Sequence, residues 1–239
     1  MKKEFEKRII TSVVLLAIVL NCLYINNYSW LILLFVVSFF CGQEFFNIVK
    51  KIKGNSNFKG ILNISCIALL LLFTYSAYTI KATGGPETVL FLLLVCIFSD
   101  IGGYVIGKMI GGKKLTKISP NKTISGSIGS FLFSLFPPGI FLILYEITEL
   151  DYFNLSSTSY YENSIIVLCI LLSFICQIGD LFISYFKRMA KVKDTGKILP
   201  GHGGILDRID GIIFAIPAIY YLNTYLIPKF YGSGIIWWF

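Results

Sequence analysis

The sequence predicts an all-α protein whose helices cross a membrane several times, with the N-terminus on the cytoplasmic side. Of the 239 residues, 56% are apolar and only 14% are charged, and the mean hydropathy is +0.76. Soluble domains carry about 25% charged residues and disordered chains have low hydrophobicity, so both classes are excluded. Apolar runs of about 20 residues, the length that a helix needs to cross a bilayer, recur along the chain. These observations indicate a polytopic helical membrane protein.

Seven apolar runs, taken in chain order, are each long enough for a membrane-spanning helix. We place them at about 9–26, 29–48, 61–80, 87–107, 126–145, 163–186 and 205–227. The first run follows basic residues but has no small-residue cleavage site after it, so we expect an uncleaved span rather than a signal peptide. We expect one integral membrane domain over 1–239, with N-terminal spans in 1–83 and catalytic spans in 84–239.

The positions of lysine and arginine predict how these spans are oriented. Nearly all of the 21 Lys and Arg residues fall on one side, which includes the loops 108–125 and 187–204. The Lys- and Arg-rich side of a membrane protein is the cytoplasmic side, so we expect both loops in the cytoplasm and the chain in the cell (plasma or inner) membrane. The net charge of +8 follows from this topology and requires no nucleic-acid partner. The six cysteines are scattered singly and do not predict a zinc site.

Four aspartates lie within or at the edge of the predicted spans, where a carboxylate costs about 2.5 kcal/mol or more at a helix centre. Asp100 lies in the cytoplasmic half of the fourth span, and Asp180 lies close to the cytoplasmic end of the sixth. Asp207 and Asp210 fall in the first turn of the seventh. We therefore expect all four carboxylates at one depth, just beneath the cytoplasmic headgroups. The helix dipole or a lysine partner would explain one such acid, but four together favour a functional site.

These acids also predict a metal site. Asp207 and Asp210 are three residues apart, so in a helix they share a face. Two neighbouring carboxylates repel unless a cation neutralises them, and Mg²⁺ prefers carboxylate oxygens together with substrate phosphates. The candidate Mg²⁺ ligands are Asp100, Asp180, Asp207 and Asp210. The sequence leaves open whether a second metal ion binds.

Two loops beside the acids carry groups that bind phosphate. The loop 107–129 interleaves glycines, lysines and hydroxyl groups but lacks the Walker A pattern, and its candidate substrate-binding residues are Ser119, Lys122 and Thr123. The segment 187–210 contains a Pro-Gly-His-Gly-Gly turn, and its candidates are Lys187, Arg188, Lys193, His202, Gly203, Gly204 and Arg208. A lone histidine usually forms a structural hydrogen bond, and a proton-transfer role is left open. Fixed cations beside a Mg²⁺ site at the membrane surface point to phosphoryl or nucleotidyl transfer to a lipid.

Residues 184–210 read SYFKRMAKVKDTGKILPGHGGILDRID, a stretch with many fixed polar positions. It meets every position of the signature of the phosphatidate cytidylyltransferase (CDP-diacylglycerol synthase) family, which the C-terminal half resembles. The QIGDL segment at 177–181, the Ser-Pro-x-Lys-Thr stretch at 119–123 and the glycines that follow Asp100 add to the resemblance. One departure is that Ile124, Ser125 and Gly126 stand where the family usually has Trp-Glu-Gly. The N-terminal spans resemble the family only in hydropathy.

The resemblance implies that CTP and phosphatidic acid react to give CDP-diacylglycerol and pyrophosphate. It implies that Asp180 and Asp207 are the leading metal ligands, supported by Asp210 and Asp100. Together with Asp180, Asp207 and Asp210, Lys193 completes the candidate catalytic set. Lys193, Lys187 and Arg188 would hold phosphates, and Arg208 would steady the carboxylates or the leaving group. Ser119, Lys122 and Thr123 would contact the triphosphate or the lipid phosphate.

Other readings of the same residues give different functions. A CTP-dependent lipid kinase of the polyprenol or phytol type would share the CTP and Mg²⁺ chemistry but transfer the γ-phosphoryl group. An ion carrier would place charges across the full membrane depth, whereas these lie at one face. The DRIDG sequence at 207–211 echoes the start of the CDP-alcohol phosphatidyltransferase motif, but no aspartate follows Asp210, so that family is rejected. The sequence leaves open whether the chain forms a homodimer.

Overall fold

The computed structural model describes residues 2–116, 118–148 and 159–226 of the chain. Over these residues the protein is helical and contains no strand, only two isolated β-bridges. The helices are α1 (Lys2–Ile25), α2 (Asn27–Lys51), α3 (Ser56–Ile110), α4 (Ile124–Phe133), α5 (Phe136–Thr148), α6 (Ser159–Met189), α7 (Leu206–Ile209) and α8 (Ile212–Tyr221), followed by a π-helical turn (Leu222–Leu226). Five stretches of these helices are long and apolar enough to cross a membrane. The predicted class, an all-α multi-pass membrane protein, is confirmed.

Helix α3 contains two of the predicted spans and reverses direction between them. Leu69 and Asp100 both lie near the same turns of α6, because Leu69 and Ile183 line one cavity and Asp100 and Asp180 line another. In a straight helix these two residues would lie about 45 Å apart. The reversal occurs at Gly85, whose φ of 82° and ψ of 171° are not helical. The following Pro86 begins the second arm, where its missing N–H costs no hydrogen bond. The third and fourth predicted spans are therefore joined without a loop.

Two other predicted spans are interrupted. The fifth, 126–145, is divided between α4 and α5, and the break falls at Ser134 and Leu135. The seventh, 205–227, begins with the single turn α7, and its apolar helical part, Ile212–Thr224, is shorter than a full crossing. The predicted external loop and the chain's last residues fall mainly on 149–158 and 227–239, which lie outside the described residues.

Glycines allow the second arm of α3 to lie very close to α4. A Cβ atom at Gly102 would lie 2.4 Å from the carbonyl oxygen of Gly129, and one at Gly126 would lie 2.7 Å from that of Gly103. Membrane helices use small residues in this way, because close backbone approach maximises packing where lipid gives no hydrophobic driving force. The crossing fixes Asp100 on α3 beside the start of α4.

A second close crossing joins α6 to the start of α8. A Cβ atom at Gly179 would lie 2.9 Å from the carbonyl oxygen of Asp210, and one at Gly211 would lie 2.3 Å from Sγ of Cys176. Each of these two glycines is next in sequence to an aspartate of the candidate site, Asp180 or Asp210. The packing that brings the backbones together therefore also brings the two carboxylates to the same place.

Helix α8 is the most enclosed element of the core. Ile213, Ala215 and Ile216 are buried between the arms of α3 and α6. Helix α1 lies at the opposite extreme, because Ile10, Val13 and Leu16 are exposed along it. Exposed apolar side chains suit the hydrocarbon core of a bilayer. The candidate site is therefore built on the central helices.

Candidate active site

A polar cavity of about 320 Å³ opens between the second arm of α3, the segment 111–123, α4 and α6. Its lining includes Asp100, Ser119, Lys122, Thr123, Gln177 and Asp180. Carboxylates, a lysine and hydroxyl groups therefore meet in one space at the Lys- and Arg-rich end of the helices. The sequence had predicted these six positions, except Gln177, as parts of the site.

Two of the four aspartates, Asp100 and Asp180, line this cavity, and a third, Asp210, interacts with both of them. Asp100, Asp180 and Asp210 interact electrostatically with one another, although they belong to α3, α6 and the junction between α7 and α8. Lys122 forms an ion pair with Asp180. Positive charge also reaches the other two acids, since Arg208 acts on Asp100 and Lys187 acts on Asp210. The site is a cluster of acids whose charges are balanced by side chains from both predicted phosphate-binding loops.

Asp207 belongs to a neighbouring hydrogen-bond cluster. Its Oδ1 accepts a hydrogen bond of 2.8 Å from Nζ of Lys187, and its Oδ2 accepts from the backbone N–H groups of Thr195 (2.8 Å) and Gly204 (3.1 Å). The Thr195 hydroxyl lies 3.0 Å from the same Oδ2. Asp207 therefore ties the segment 195–204 to α6. Lys187 connects this cluster to the acids, because it pairs with Asp207 and also lies near enough to Asp210 to act on it.

The pKa of Asp207 lies below its ordinary value. Burial by itself would raise this pKa, but the hydrogen bond from Lys187, the backbone hydrogen bonds from Thr195 and Gly204 and the charge of Lys187 outweigh it. Asp207 precedes the apolar helix α8 and lies outside the membrane-spanning helices. It is therefore held as a carboxylate, the form that Lys187 requires.

The Pro-Gly-His-Gly-Gly segment forms a tight turn. The His202 N–H donates to the carbonyl of Leu199 over 3.0 Å, and Gly201 has a φ of 77°, which favours glycine. Arg208 donates from Nε and Nη2 to the carbonyl of His202, at 3.1 and 2.7 Å. Nε2 of His202 lies 3.2 Å from the Ser12 hydroxyl on α1. The His202 side chain thus contacts α1, while its backbone anchors Arg208 near Asp100.

The segment before α4 forms a small hairpin that directs Lys122 at the acids. The N–H of Leu115 donates to the carbonyl of Lys122 over 2.9 Å, and Thr123 caps α4 by accepting from the N–H of Gly126 over 3.1 Å. Ser125, which stands where the resemblance predicts glutamate, donates from its hydroxyl to the carbonyl of Gly111. At the position where the family usually has glutamate, Ser125 therefore stabilises the hairpin.

The two predicted phosphate-binding loops touch each other, but not every candidate lies in the cavity. Arg188 donates from Nε to the carbonyl of Ile118 over 3.4 Å, which links the end of α6 to the hairpin. Lys193 is exposed on the loop after α6 and does not line the cavity. Gly203 adopts a φ of 84° in the turn, and the Gly204 N–H is used by Asp207. The roles assigned to these residues remain predictions.

The chemistry of the acid cluster suits Mg²⁺, because carboxylate oxygens beside a polar cavity are the ligands that this ion prefers. Among the described residues, however, no group of three His, Cys, Asp or Glu side chains has the geometry of a metal site. Asp180 is paired with Lys122. A metal ion at Asp100, Asp180 and Asp210 would therefore bind by exchange with this lysine, and the metal role remains a prediction.

Two polar features of the site were missed by sequence reasoning. Glu44 of α2 is only 2% exposed, and it accepts hydrogen bonds from the Thr195 hydroxyl and from backbone N–H groups just before Asp207. Gln177, at the cavity wall, accepts from the Ser127 hydroxyl over 2.6 Å and lies 3.3 Å from the Ser173 hydroxyl. A carboxylate inside an apolar run carries an energetic cost that could have singled out Glu44. Gln177 begins the QIGDL segment that adds to the family resemblance, but it was not among the predicted site residues.

The fold and the site define a multi-pass helical membrane protein with an acid-lined cavity at its basic end. The sequence profile of the Cytidylyltransferase family matches residues 6–85 and 72–226, and the chain belongs to this family. The resemblance seen in the sequence is confirmed at the level of the family.

Several similar proteins bear the name phosphatidate cytidylyltransferase. One from Staphylococcus saprophyticus is 36% identical over 160 residues, which cover 66% of this chain and 56% of that protein. One from Staphylococcus aureus is 37% identical over 170 residues, or 71% of this chain and 58% of that protein. One from Staphylococcus epidermidis is 40% identical over 136 residues, or 56% and 48%. The chain spans little more than half the length of the curated relatives that it matches.

Proposed function

We propose that the protein is a nucleotidyltransferase that converts CTP and phosphatidic acid to CDP-diacylglycerol and pyrophosphate in phospholipid biosynthesis. The observation that carries this proposal is the meeting of Asp100, Asp180 and Lys122 in one polar cavity, with Asp210 close enough to interact electrostatically with both aspartates. Membership of the Cytidylyltransferase family and the name phosphatidate cytidylyltransferase that the relatives bear support these substrates.

The reaction is a displacement at the α-phosphorus of CTP. A phosphate oxygen of phosphatidic acid forms the new bond, the bond between the α-phosphorus and the bridging oxygen breaks, and that oxygen leaves with pyrophosphate. An ionised lipid phosphate needs no base to attack, so the protein has mainly to position the reactants and neutralise charge. Lys122 and Lys187 are fixed cations for this purpose, and Arg208 brings a third beside Asp100.

Mg²⁺ held by Asp100, Asp180 and Asp210 would neutralise the triphosphate and polarise the reacting phosphorus–oxygen bonds. Asp207 contributes differently, because its oxygens are already bound by Lys187 and by the segment 195–204. It would hold Lys187 in position between the acids and the incoming phosphates.

The location of the site supports a lipid substrate. The cavity lies between membrane-spanning helices, and Tyr104 at its wall is 68% exposed on the outer face of α3. A lipid headgroup can approach from the bilayer while CTP enters from the aqueous side. The basic loops support a cytoplasmic site and a protein of the plasma or inner membrane, according to the charge rule.

The test is an assay of the purified protein in detergent with phosphatidic acid, Mg²⁺ and CTP labelled at either the α- or the γ-phosphate. A cytidylyltransferase transfers only the α-label to lipid and releases the γ-label in pyrophosphate. A CTP-dependent lipid kinase transfers only the γ-label. We expect the first result, and Asp180→Asn should abolish it. Transfer of the γ-label, or labelled lipid formed equally well by this variant, would contradict the proposal.

A further inference from the structure

Glu44 is a buried acid that the proposed chemistry does not use, yet it contacts the segment that carries Asp207. It lies on α2 with 2% of its surface exposed. Its Oε1 accepts from the N–H of Ile205 over 3.1 Å, and its Oε2 accepts from the N–H of Leu206 over 2.9 Å and the Thr195 hydroxyl over 2.7 Å. All three donors come from one segment, 195–206, which lies more than 150 positions away in the chain.

We propose that Glu44 is a positioning residue, which fixes the segment 195–206 and thereby sets the placement of Asp207 and Lys187. Its catalytic consequence rests on the function proposed above. The first N–H groups of a helix have no partner within the helix, and Glu44 supplies one to the N–H groups at the start of α7. Because α7 is a single turn that leads directly to Asp210, its start also sets where that acid lies.

A chain of hydrogen bonds connects Glu44 to the charged cluster. The Thr195 hydroxyl lies 2.7 Å from Oε2 of Glu44 and 3.0 Å from Oδ2 of Asp207. The Thr195 N–H also donates to Asp207, which in turn pairs with Lys187. The single hydroxyl proton of Thr195 is shared between these two carboxylates, so removing the Glu44 carboxylate turns it wholly to Asp207 and leaves the N–H groups of Ile205 and Leu206 without their acceptor, which changes how the segment holds Asp207. Buried networks of this kind favour a single arrangement, because each unsatisfied member is costly.

The segment is shaped to fit this carboxylate. A Cβ atom at Gly196 would lie 2.3 Å from Oε1 of Glu44, and its three nearest atoms all belong to that side chain. A Cβ atom at Gly204 would lie 2.3 Å from Oε2 of Glu44 and 2.1 Å from the Thr195 hydroxyl. Gly196 does not have a left-handed φ, so the Glu44 side chain is the reason for a glycine there. Two glycines on one segment thus enclose one carboxylate from a distant helix.

The first experiment compares Glu44→Ala and Glu44→Gln with the control Glu6→Ala, which removes an exposed acid from α1. Hydrogen exchange measured by mass spectrometry should show faster exchange of peptides covering 195–206 in Glu44→Ala only. The kcat/KM for CTP should fall roughly 10- to 100-fold, as for other residues that orient catalytic groups. Glu44→Gln should recover part of the loss, because its amide oxygen still accepts from the segment.

Each outcome of this comparison decides the proposal. A residue that only stabilised the fold would lower the melting temperature and leave kcat/KM per folded molecule unchanged, and this result would overturn the positioning role. Unchanged exchange at 195–206 would overturn the contact itself. If the wild-type protein forms no CDP-diacylglycerol, the proposed function fails, and the exchange data then decide the Glu44 contact independently.

The second experiment uses Gly196→Ala alone and together with Glu44→Ala. The single Gly196→Ala change should reduce activity and melting temperature, because the added methyl group collides with the Glu44 carboxylate. In the Glu44→Ala background the same change should have almost no further effect. This loss of additivity is the signature of direct contact. Additive effects of the two substitutions on both measurements would overturn the proposal.

Discussion

The close approach of α6 and α8 at Gly179 gives the most specific prediction for the placement of the acids. In Gly179→Ala the added Cβ would lie 2.9 Å from the carbonyl oxygen of Asp210, which is 0.5 Å inside ordinary van der Waals contact at 3.4 Å. It would also lie 3.1 Å from the Cα of Gly211. The nearest atom, Cδ2 of Phe214 at 2.7 Å, belongs to a side chain that can turn away, but the two backbone atoms cannot, so the helices must separate. Overpacking of this kind costs about 1–3 kcal/mol.

The separation should affect chemistry more than folding, because it moves Asp210 relative to Asp180. A displacement of about 1 Å in a catalytic arrangement can cost about 100-fold in rate, so a displacement of half that size predicts a loss of roughly 10- to 100-fold in kcat. The assay is CDP-diacylglycerol formation from α-labelled CTP, with melting temperature measured on the same preparation. Gly60→Ala is the matched control, because a Cβ atom there has no neighbour within 4 Å. Activity of Gly179→Ala equal to that of the control would refute the reasoning.

Three further predictions concern the charged groups. In Lys122→Met, Asp180 loses its ion-pair partner, and the KM for CTP should rise roughly tenfold or more. The Lys122→Arg variant should retain most activity. Equal KM values for Lys122→Met and the wild type would contradict this prediction. The Asp207→Asn variant should still insert into membranes but form no product, and its free energy of unfolding should fall by about 1–3 kcal/mol. Retained activity of this variant in membranes would count against the role of Asp207. Because the pKa of Asp207 is lowered on folding, its stabilising contribution is present above the ordinary aspartate pKa of about 3.9 and is lost as the pH falls through the folded value. The difference in melting temperature between the wild type and Asp207→Asn should therefore stay constant from neutral pH down to about 5 and shrink below about 4. A difference that does not change with pH over this range would show that another group carries the effect.

Much of the fold could be predicted from the apolar runs, because the length of a membrane helix is set by the bilayer. The direct connection between the two arms of α3 could not be predicted, because a hydropathy pattern marks the end of one span and the start of the next only where polar residues lie between them. Gly85 and Pro86 were the visible signals of a turn there, but either residue also occurs inside membrane helices. The short α7 was likewise hidden, because the N–H groups at its start are bound by Glu44 and Asp207, contacts that hydropathy does not show.

The meeting of Asp100, Asp180 and Asp210 followed from their depth in the predicted spans. The separate position of Asp207 could not be predicted, because a spacing of three residues defines a shared helix face but not the donors that surround each side chain. Glu44 carried the same energetic signal as the aspartates. Its partners are backbone N–H groups 161 and 162 residues away, which have no sequence signature. The depth of the acids in the membrane could therefore be predicted from the sequence, whereas which of them line the cavity depends on how the helices pack.

The central claim is that Asp100, Asp180 and Asp210, held together by glycine crossings, surround the phosphates of the nucleotide. An experimental structure of the protein in a lipid nanodisc, with Mg²⁺ and a non-hydrolysable CTP analogue, tests it most directly. The account predicts that the triphosphate lies in the cavity lined by Asp100, Asp180 and Lys122, within reach of Asp210, with the Lys122–Asp180 ion pair opened. A nucleotide bound away from this cavity, or three aspartates that point apart in its presence, would contradict the account.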